Sequence, residues 1–220
     1  MGTEQRDFWS AVARKYDTVV DRQIGPATRS LVRDRVAREG PLGALAEFGC
    51  GTGYFTQALA ARATNVVATD LSPGMLTLAE ERTGAANVKF QLEDCQRTSF
   101  TAGTFDTAFL CLVIHFTEPA RTLAEMYRIL KPGGMLIVVN LDPGALRPFD
   151  RVRSVIRILY RGLLGYRTKP PKGFGTNVLT ERTLCGLLAG SGFSVTDTET
   201  ISDPSRTSNI PVEYVRAVKV

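Results

Sequence analysis

Three glycines at alternate positions, Gly49, Gly51 and Gly53, follow the run Leu45-Ala46-Glu47-Phe48. A buried strand entering such a turn can fold sharply and leave its main-chain amides bare. A flat, polar ligand can lie against those amides and against the start of a helix read over residues 54–61. Asp70 closes the next apolar run, 17 residues after Gly53. A carboxylate there accepts hydrogen bonds from the two hydroxyls of a ribose. Asp94, in Leu92-Glu93-Asp94-Cys95, ends a third run. It is placed to accept from an exocyclic amine such as that of adenine, while the Cys95 N–H reads a ring nitrogen. Ligands of parallel sheets bind outside the carboxyl ends of the strands, where these three features fall in chain order. The spacing therefore predicts a nucleoside-like ligand. It does not fit a dinucleotide, whose G-x-G-x-x-G fingerprint needs a glycine where Tyr54 stands.

His115, the only histidine, ends a fourth apolar run. Beside a reacting group it can take a proton from a hydroxyl or an amine; otherwise it packs or orients. Other candidates have plainer readings. Ser72 caps a helix better than Asp70 does. Asp106 opens a strand away from the ligand end and reads as structural. Lys131-Pro132-Gly133-Gly134 reads as a helix stop and turn.

The elements that must position these residues alternate, apolar runs with helical patterns, as in a parallel sheet wrapped by helices. Helices are expected over 4–17 and 26–38. Strands are expected at 44–48, 65–69, 88–92, 107–112 and 135–140. Ser72-Pro73 and Thr117 read as helix starts. Past Asn140 the pattern changes to Pro, Gly, Arg and aromatics around one amphipathic helix. A helix over 180–189 and two strands, 193–201 and 212–220, close the chain, the strands pairing antiparallel at the sheet edge.

A chain of 220 residues, 44% of them hydrophobic, suits one domain with a full core. Cys50, Cys95, Cys111 and Cys185 have neither metal-ligand spacing nor a disulfide framework. No apolar run approaches a membrane span, and residues 1–7 lack a signal core, so a cytoplasmic protein is expected. The net charge of +5 permits an anionic partner without requiring one. Arg153, Arg157 and Arg161 share one helical face, read as solvated, with an anionic or carrier-bound substrate or a membrane surface as alternatives. No basic groove interleaved with aromatics marks a nucleic-acid partner.

Taken together, Glu47 to Gly53 resembles the first motif of class I S-adenosylmethionine-dependent methyltransferases, and Thr69-Asp70-Leu71-Ser72-Pro73-Gly74-Met75-Leu76 the second. Glu93-Asp94-Cys95, Phe105-Asp106 and Leu130-Lys131-Pro132-Gly133-Gly134 resemble the later ones, in order. Phe8-Trp9, Ala13-Arg14-Lys15-Tyr16-Asp17 and residues 180–193 are similar to the small-molecule group that includes the ubiquinone- and menaquinone-biosynthesis methyltransferases. The resemblance covers most of the chain except residues 143–178.

It implies an α/β, Rossmann-like fold: a seven-stranded, mostly parallel sheet with helices on both faces and its last strand antiparallel. It implies a single methyltransferase domain over 1–220, with a helical cap at 1–40 and a substrate-lid insertion at 141–178. The cofactor implied is S-adenosylmethionine, leaving as S-adenosylhomocysteine. Gly49, Gly51 and Gly53 would approach its methionine portion, with Cys50 and Cys111 beside it, Tyr16 at its carboxylate and Glu47 supporting the loop or the ammonium. Asp70 would bind the ribose; Leu71 and Met75 would pack on the adenine, and Asp94 and Cys95 would bind its edge. Catalysis is left to His115 as candidate base. The expected acceptor is a small organic molecule, with oxygen favoured over nitrogen or carbon, in a biosynthetic or secondary-metabolic role. Trp9, Asn140, Tyr160, Tyr166 and Phe174 are the expected acceptor contacts, the last three in a lid suited to an aromatic or lipophilic molecule. The alternatives are a cyclase-like enzyme that uses the same cofactor without methyl transfer, and a non-catalytic binding protein. Oligomeric state has no signature in the sequence.

Overall fold

The chain is described by a computed structural model covering residues 3–146, 177, 179–205 and 209–220. Helices α1 (Thr3–Val12), α2 (Tyr16–Gln23) and α3 (Pro26–Ala37) come first. A 3-10 turn, Ala13–Lys15, divides α1 from α2, so the single helix expected over 4–17 is two. Pro26 sits at the start of α3, where its missing N–H costs nothing, and Gly25 takes the positive φ before it.

The sheet follows: β1 (Gly43–Phe48), α4 (Thr56–Ala60), β2 (Ala63–Asp70), α5 (Pro73–Arg82), β3 (Val88–Leu92), β4 (Phe105–Cys111), α6 (Pro119–Ile129), β5 (Leu130–Leu141), α7 (Glu181–Gly190), β6 (Phe193–Ile201) and β7 (Val212–Lys219). Its seven strands lie in the order β3-β2-β1-β4-β5-β7-β6. The first five pair in parallel, and β7 runs antiparallel between β5 and β6. The order reverses between β1 and β4, which opens a crevice at their carboxyl ends.

Alternation along the strands splits the core in two. Leu45, Phe109 and Ile137 face one side with Val32, Val36, Leu59 and Ala79. Their neighbours Ala46, Leu110 and Val138 face the other, with Leu123, Met126, Leu184 and Leu188. Strands covered on both faces explain why the sequence shows continuous apolar runs.

Three local expectations change. The helix after the glycine turn spans only Thr56–Ala60, because residues 51–55 are used in the turn itself. Thr117 does not cap α6; Glu118 holds that position, and the Thr117 hydroxyl donates instead to the Ile114 carbonyl. The Lys131–Gly134 turn lies within the span of β5, as a bulge between the Phe105–Leu130 and Thr107–Met135 pairs. Ser72 and Thr180 do cap their helices, accepting from the Met75 and Thr183 amides.

Candidate functional site

A cleft of about 590 Å³ opens at the carboxyl ends of β1, β2 and β4. Nine residues expected from the sequence line it: Trp9, Tyr16, Gly49, Gly51, Asp70, Leu71, Met75, Asp94 and Cys95. They come from six separate segments, and the sheet topology brings them together.

The glycine turn has a steric reason for its composition. Gly49 has φ 63°, and a Cβ there would stand 2.3 Å from Val113 Cγ2. Gly51 has φ 54°, and its Cβ would press on the Tyr16 ring at 3.2 Å. Gly53, φ 75°, faces away from the cleft, and its Cβ would meet the α5 backbone at Ala79, 3.0 Å away. Its task is close packing of the turn on that helix.

Asp70 fastens the turn. One oxygen accepts from the Gly51 amide and the other from the Ser72 amide, each at 2.9 Å. Burial raises its pKa, and the amides of Ser72, Gly51 and Leu71 oppose that rise. The neighbouring acids are also engaged. Glu93 accepts from Gln91 Nε2 at 2.8 Å and from the Ser99 amide and hydroxyl, and Asp94 accepts from the Gln96 amide at 3.0 Å. Asp70, Glu93 and Asp94 all line the cleft, and no lysine or arginine does so among the described residues. The field there favours a cation.

A smaller cavity of about 300 Å³ shares Tyr16, Gly49 and Leu112 with the cleft and adds Cys50, Cys111, Thr52 and Arg29. Arg29 is 4% exposed, and its guanidinium lies 3.8 Å from the Tyr54 ring centroid. It donates to Asp17 at 2.7 Å and Asp21 at 3.0 Å, while its Nε is buried without a partner. Burial holds the Tyr16, Cys50 and Cys111 protons on.

The remaining expected residues stand elsewhere. Glu47, 2% exposed, accepts from the Thr56 hydroxyl at 2.7 Å and so braces the helix after the turn. Burial pushes its pKa up to about 7. His115 is 6% exposed and lies behind the wall of the cleft, its ring 4.0 Å from that of Phe116. Burial lowers its pKa to about 4, against a raising interaction with Asn140. Asn140 donates through Nδ2 to the Leu141 and Leu179 carbonyls. Tyr160, Tyr166 and Phe174 lie outside the described residues.

Sequence reasoning missed Phe116, Thr117, Val113, Leu112 and Arg29. Leu112 has φ 58°, a costly conformation for a side chain of its kind, and it turns the chain from β4 into the cleft wall. No sequence pattern marks such strain. Phe116 packs edge-on against Trp9 at 5.2 Å, an aromatic corner visible only once α1 and the β4 loop meet. No cluster of metal-ligating side chains occurs among the described residues.

Residues 46–138 match the family model described as "Methyltransferase domain". A malonyl-[acyl-carrier protein] O-methyltransferase of Serratia marcescens is 36% identical over 104 residues, 47% of this chain and 40% of the relative. A demethylmenaquinone methyltransferase of Beutenbergia cavernae is 32% identical over 148 residues, 63% of this chain and 58% of the relative. The chain therefore spans less than two thirds of the length of either. A solved S-adenosylmethionine-dependent methyltransferase from Mesorhizobium loti shares the fold, with a TM-score of 0.65 at 21% identity, over 88% of this chain and 99% of that one. Residues 46–138 are thus similar to a methyltransferase domain, the chain's relatives are named as methyltransferases, and its fold is shared with a solved S-adenosylmethionine-dependent methyltransferase.

Proposed function

We propose that this protein transfers a methyl group from S-adenosylmethionine to a small organic acceptor, and that it does so in the cytoplasm as a biosynthetic enzyme. The observation that carries the reading is the meeting, in one cleft, of a bare glycine turn with Asp70, Asp94 and Cys95 at three strand ends. The residues fit the cofactor. A Cβ at position 49 would collide with Val113 and one at position 51 would press on the Tyr16 ring, so glycines keep that wall of the cleft clear. The acidic lining suits a sulfonium and an ammonium.

Bound there, S-adenosylmethionine supplies a methyl carbon made electrophilic by its sulfonium. The chain orients, neutralises and excludes water. Asp70 holds the ribose with the lone pairs not given to the Gly51 and Ser72 amides. Leu71 and Met75 cover the adenine, and Asp94 and the Cys95 amide read its edge. Arg29 and Tyr16, which both line the smaller cavity, would take the carboxylate. Trp9, Phe116 and Val113 form the apolar side on which the acceptor lies.

Oxygen is the acceptor atom we favour, in keeping with the relative named as an O-methyltransferase. We assign His115 to orientation. Its buried imidazole stays neutral and weakly basic, and alignment in a dry site can supply much of the rate of methyl transfer. Calorimetry tests the core of the reading. S-adenosylmethionine and S-adenosylhomocysteine should bind with one-to-one stoichiometry, and NAD and NADP should not. Tight dinucleotide binding without binding of the sulfonium would overturn it.

A further inference from the structure

The acceptor side of the cleft is a short turn, and what holds it in place comes from far along the chain. After β4, the strained Leu112 leads into a 3-10 turn over Ile114–Phe116. Phe116 N–H donates to the Val113 carbonyl at 2.9 Å, and Thr117 N–H to the Ile114 carbonyl at 3.2 Å. One such turn leaves its last carbonyls without partners of its own. Asn177 supplies two of them. Its backbone N–H donates to the His115 carbonyl at 2.8 Å, and its side-chain Nδ2 donates to the Thr117 carbonyl at 2.7 Å. The two bonds bracket Phe116, whose ring lines the cleft.

A second asparagine anchors the same strip from the sheet. Asn140, at the end of β5, donates through Nδ2 to the Leu179 carbonyl at 3.0 Å, two residues past Asn177. The His115 ring belongs to the same strip. Its Nδ1 and the Asn140 Oδ1 are both buried without a partner in hydrogen-bonding geometry.

We infer that Asn177 is a positioning residue: by gripping the carbonyls on either side of Phe116, it sets where the acceptor-side wall stands relative to the cofactor side. The inference rests on the methyl-transfer reading for the word "acceptor", and not for the geometry. Asp70, Asp94 and the glycine turn belong to other elements, so loss of the grip should move the wall and leave the cofactor half in place.

The protein contains its own reporter. Trp9 is the only tryptophan, and its ring packs edge-on against Phe116 at 5.2 Å. The experiment compares the full chain with Asn177→Ala, which deletes the side-chain donor and keeps the N–H, and Asn177→Asp, which sets a carboxylate against the Thr117 carbonyl. Circular dichroism establishes that each variant is folded; should either fail, Asn177→Ser replaces it. Trp9 emission and its quenching by acrylamide should change in the variants, most in Asn177→Asp. The dissociation constant of S-adenosylhomocysteine should stay within about twofold. Once an acceptor is in hand, its KM should rise roughly tenfold with a smaller change in kcat. Unchanged Trp9 emission in folded variants would overturn the inference, and so would a loss of S-adenosylhomocysteine affinity in step with the Trp9 change. Failure of the wild-type chain to bind S-adenosylhomocysteine would sink the methyl-transfer reading instead, leaving the Trp9 result to decide the grip.

Discussion

Asp70 and His115 show how differently two polar residues at strand ends can be used. Asp70 reaches the cleft and ties the glycine turn to the start of α5 through the Gly51 and Ser72 amides, so loop and ligand site share one side chain. Its place at the end of β2 was legible from spacing alone. His115 carried the same kind of signal, a lone titratable group ending an apolar run, yet it turns behind the wall. Residue type and strand end do not tell which face the next turn presents, and the positive φ of Leu112 decides that here. The imidazole is buried, with its pKa lowered to about 4, so it is neutral across the physiological range. A positioned general base contributes about 10²–10⁴-fold to rate. His115→Gln keeps size and a polar end. It should lower turnover by less than about tenfold and leave the shape of the pH–rate profile unchanged. Loss of a profile limb together with a fall of about 10³-fold would identify His115 as the base after all.

Between elements, the N-terminal helices are joined to the glycine turn by one carboxylate. Asp17, in α2, accepts from Arg29 of α3 at 2.7 Å, from the Thr52 hydroxyl of the turn at 2.8 Å, and from Arg82 of α5. Arg82 also donates to the Thr52 hydroxyl at 2.8 Å. The contacts lower the Asp17 pKa despite its partial burial. A carboxylate with a lowered folded pKa adds stability that is present above the unfolded value near 3.8, and that is lost as pH falls through the folded one. Asp17→Ala leaves the nearly buried Arg29 with one carboxylate partner, Asp21, of the two it has. Removing one partner of a buried pair costs about 3–5 kcal/mol, and the partial exposure of Asp17 reduces that to about 2–3. The variant should unfold at lower denaturant by that amount, and it should weaken cofactor binding because Thr52 in the glycine turn loses its carboxylate anchor. An unchanged midpoint would show the hub to be idle. The sequence identified α3 and the turn as elements, and it merged α1 and the start of α2 into one helix. It was silent on this hub, because the residues lie 12, 35 and 65 positions apart. It also overran α4, since the alternation of glycines does not show how many residues the turn itself consumes.

For the whole molecule, seven strands with an antiparallel last strand are what the family resemblance implied, and the short final connection pointed to the antiparallel β6–β7 pair, while the strand order itself came from the structure. Their physical cause is visible in the alternation of core residues between two faces. The expected insertion over 141–178 falls almost wholly outside the described residues, and the lid reading stays with its sequence. Two buried acids on the sheet then shape how stability depends on pH. Glu47, beneath the glycine turn, and Glu213, in β7, both have pKa values pushed up to about 7, chiefly by burial. Thr56 and Thr200 hydroxyls oppose the rise. For Glu213 the acids Glu181, Asp142 and Glu199 add to it. A carboxyl whose folded pKa lies above its unfolded value contributes stability that is fully present below the unfolded value. That contribution disappears as pH rises through the folded one. For Glu47 the window runs from 4.5 to about 7, and the whole of it is worth roughly 3 kcal/mol. The wild-type chain should therefore lose denaturation free energy between about pH 5 and pH 8, the range spanned by these two groups. Glu47→Gln keeps an acceptor for the Thr56 hydroxyl and removes the charge. It should flatten that slope and be more stable than wild type at pH 8, while matching it within about 1 kcal/mol at pH 5. Urea titrations at the two pH values measure both quantities. Parallel slopes for wild type and Glu47→Gln would mean that Glu47 is already ionised in the fold near pH 5, with its charge balanced by something other than Thr56.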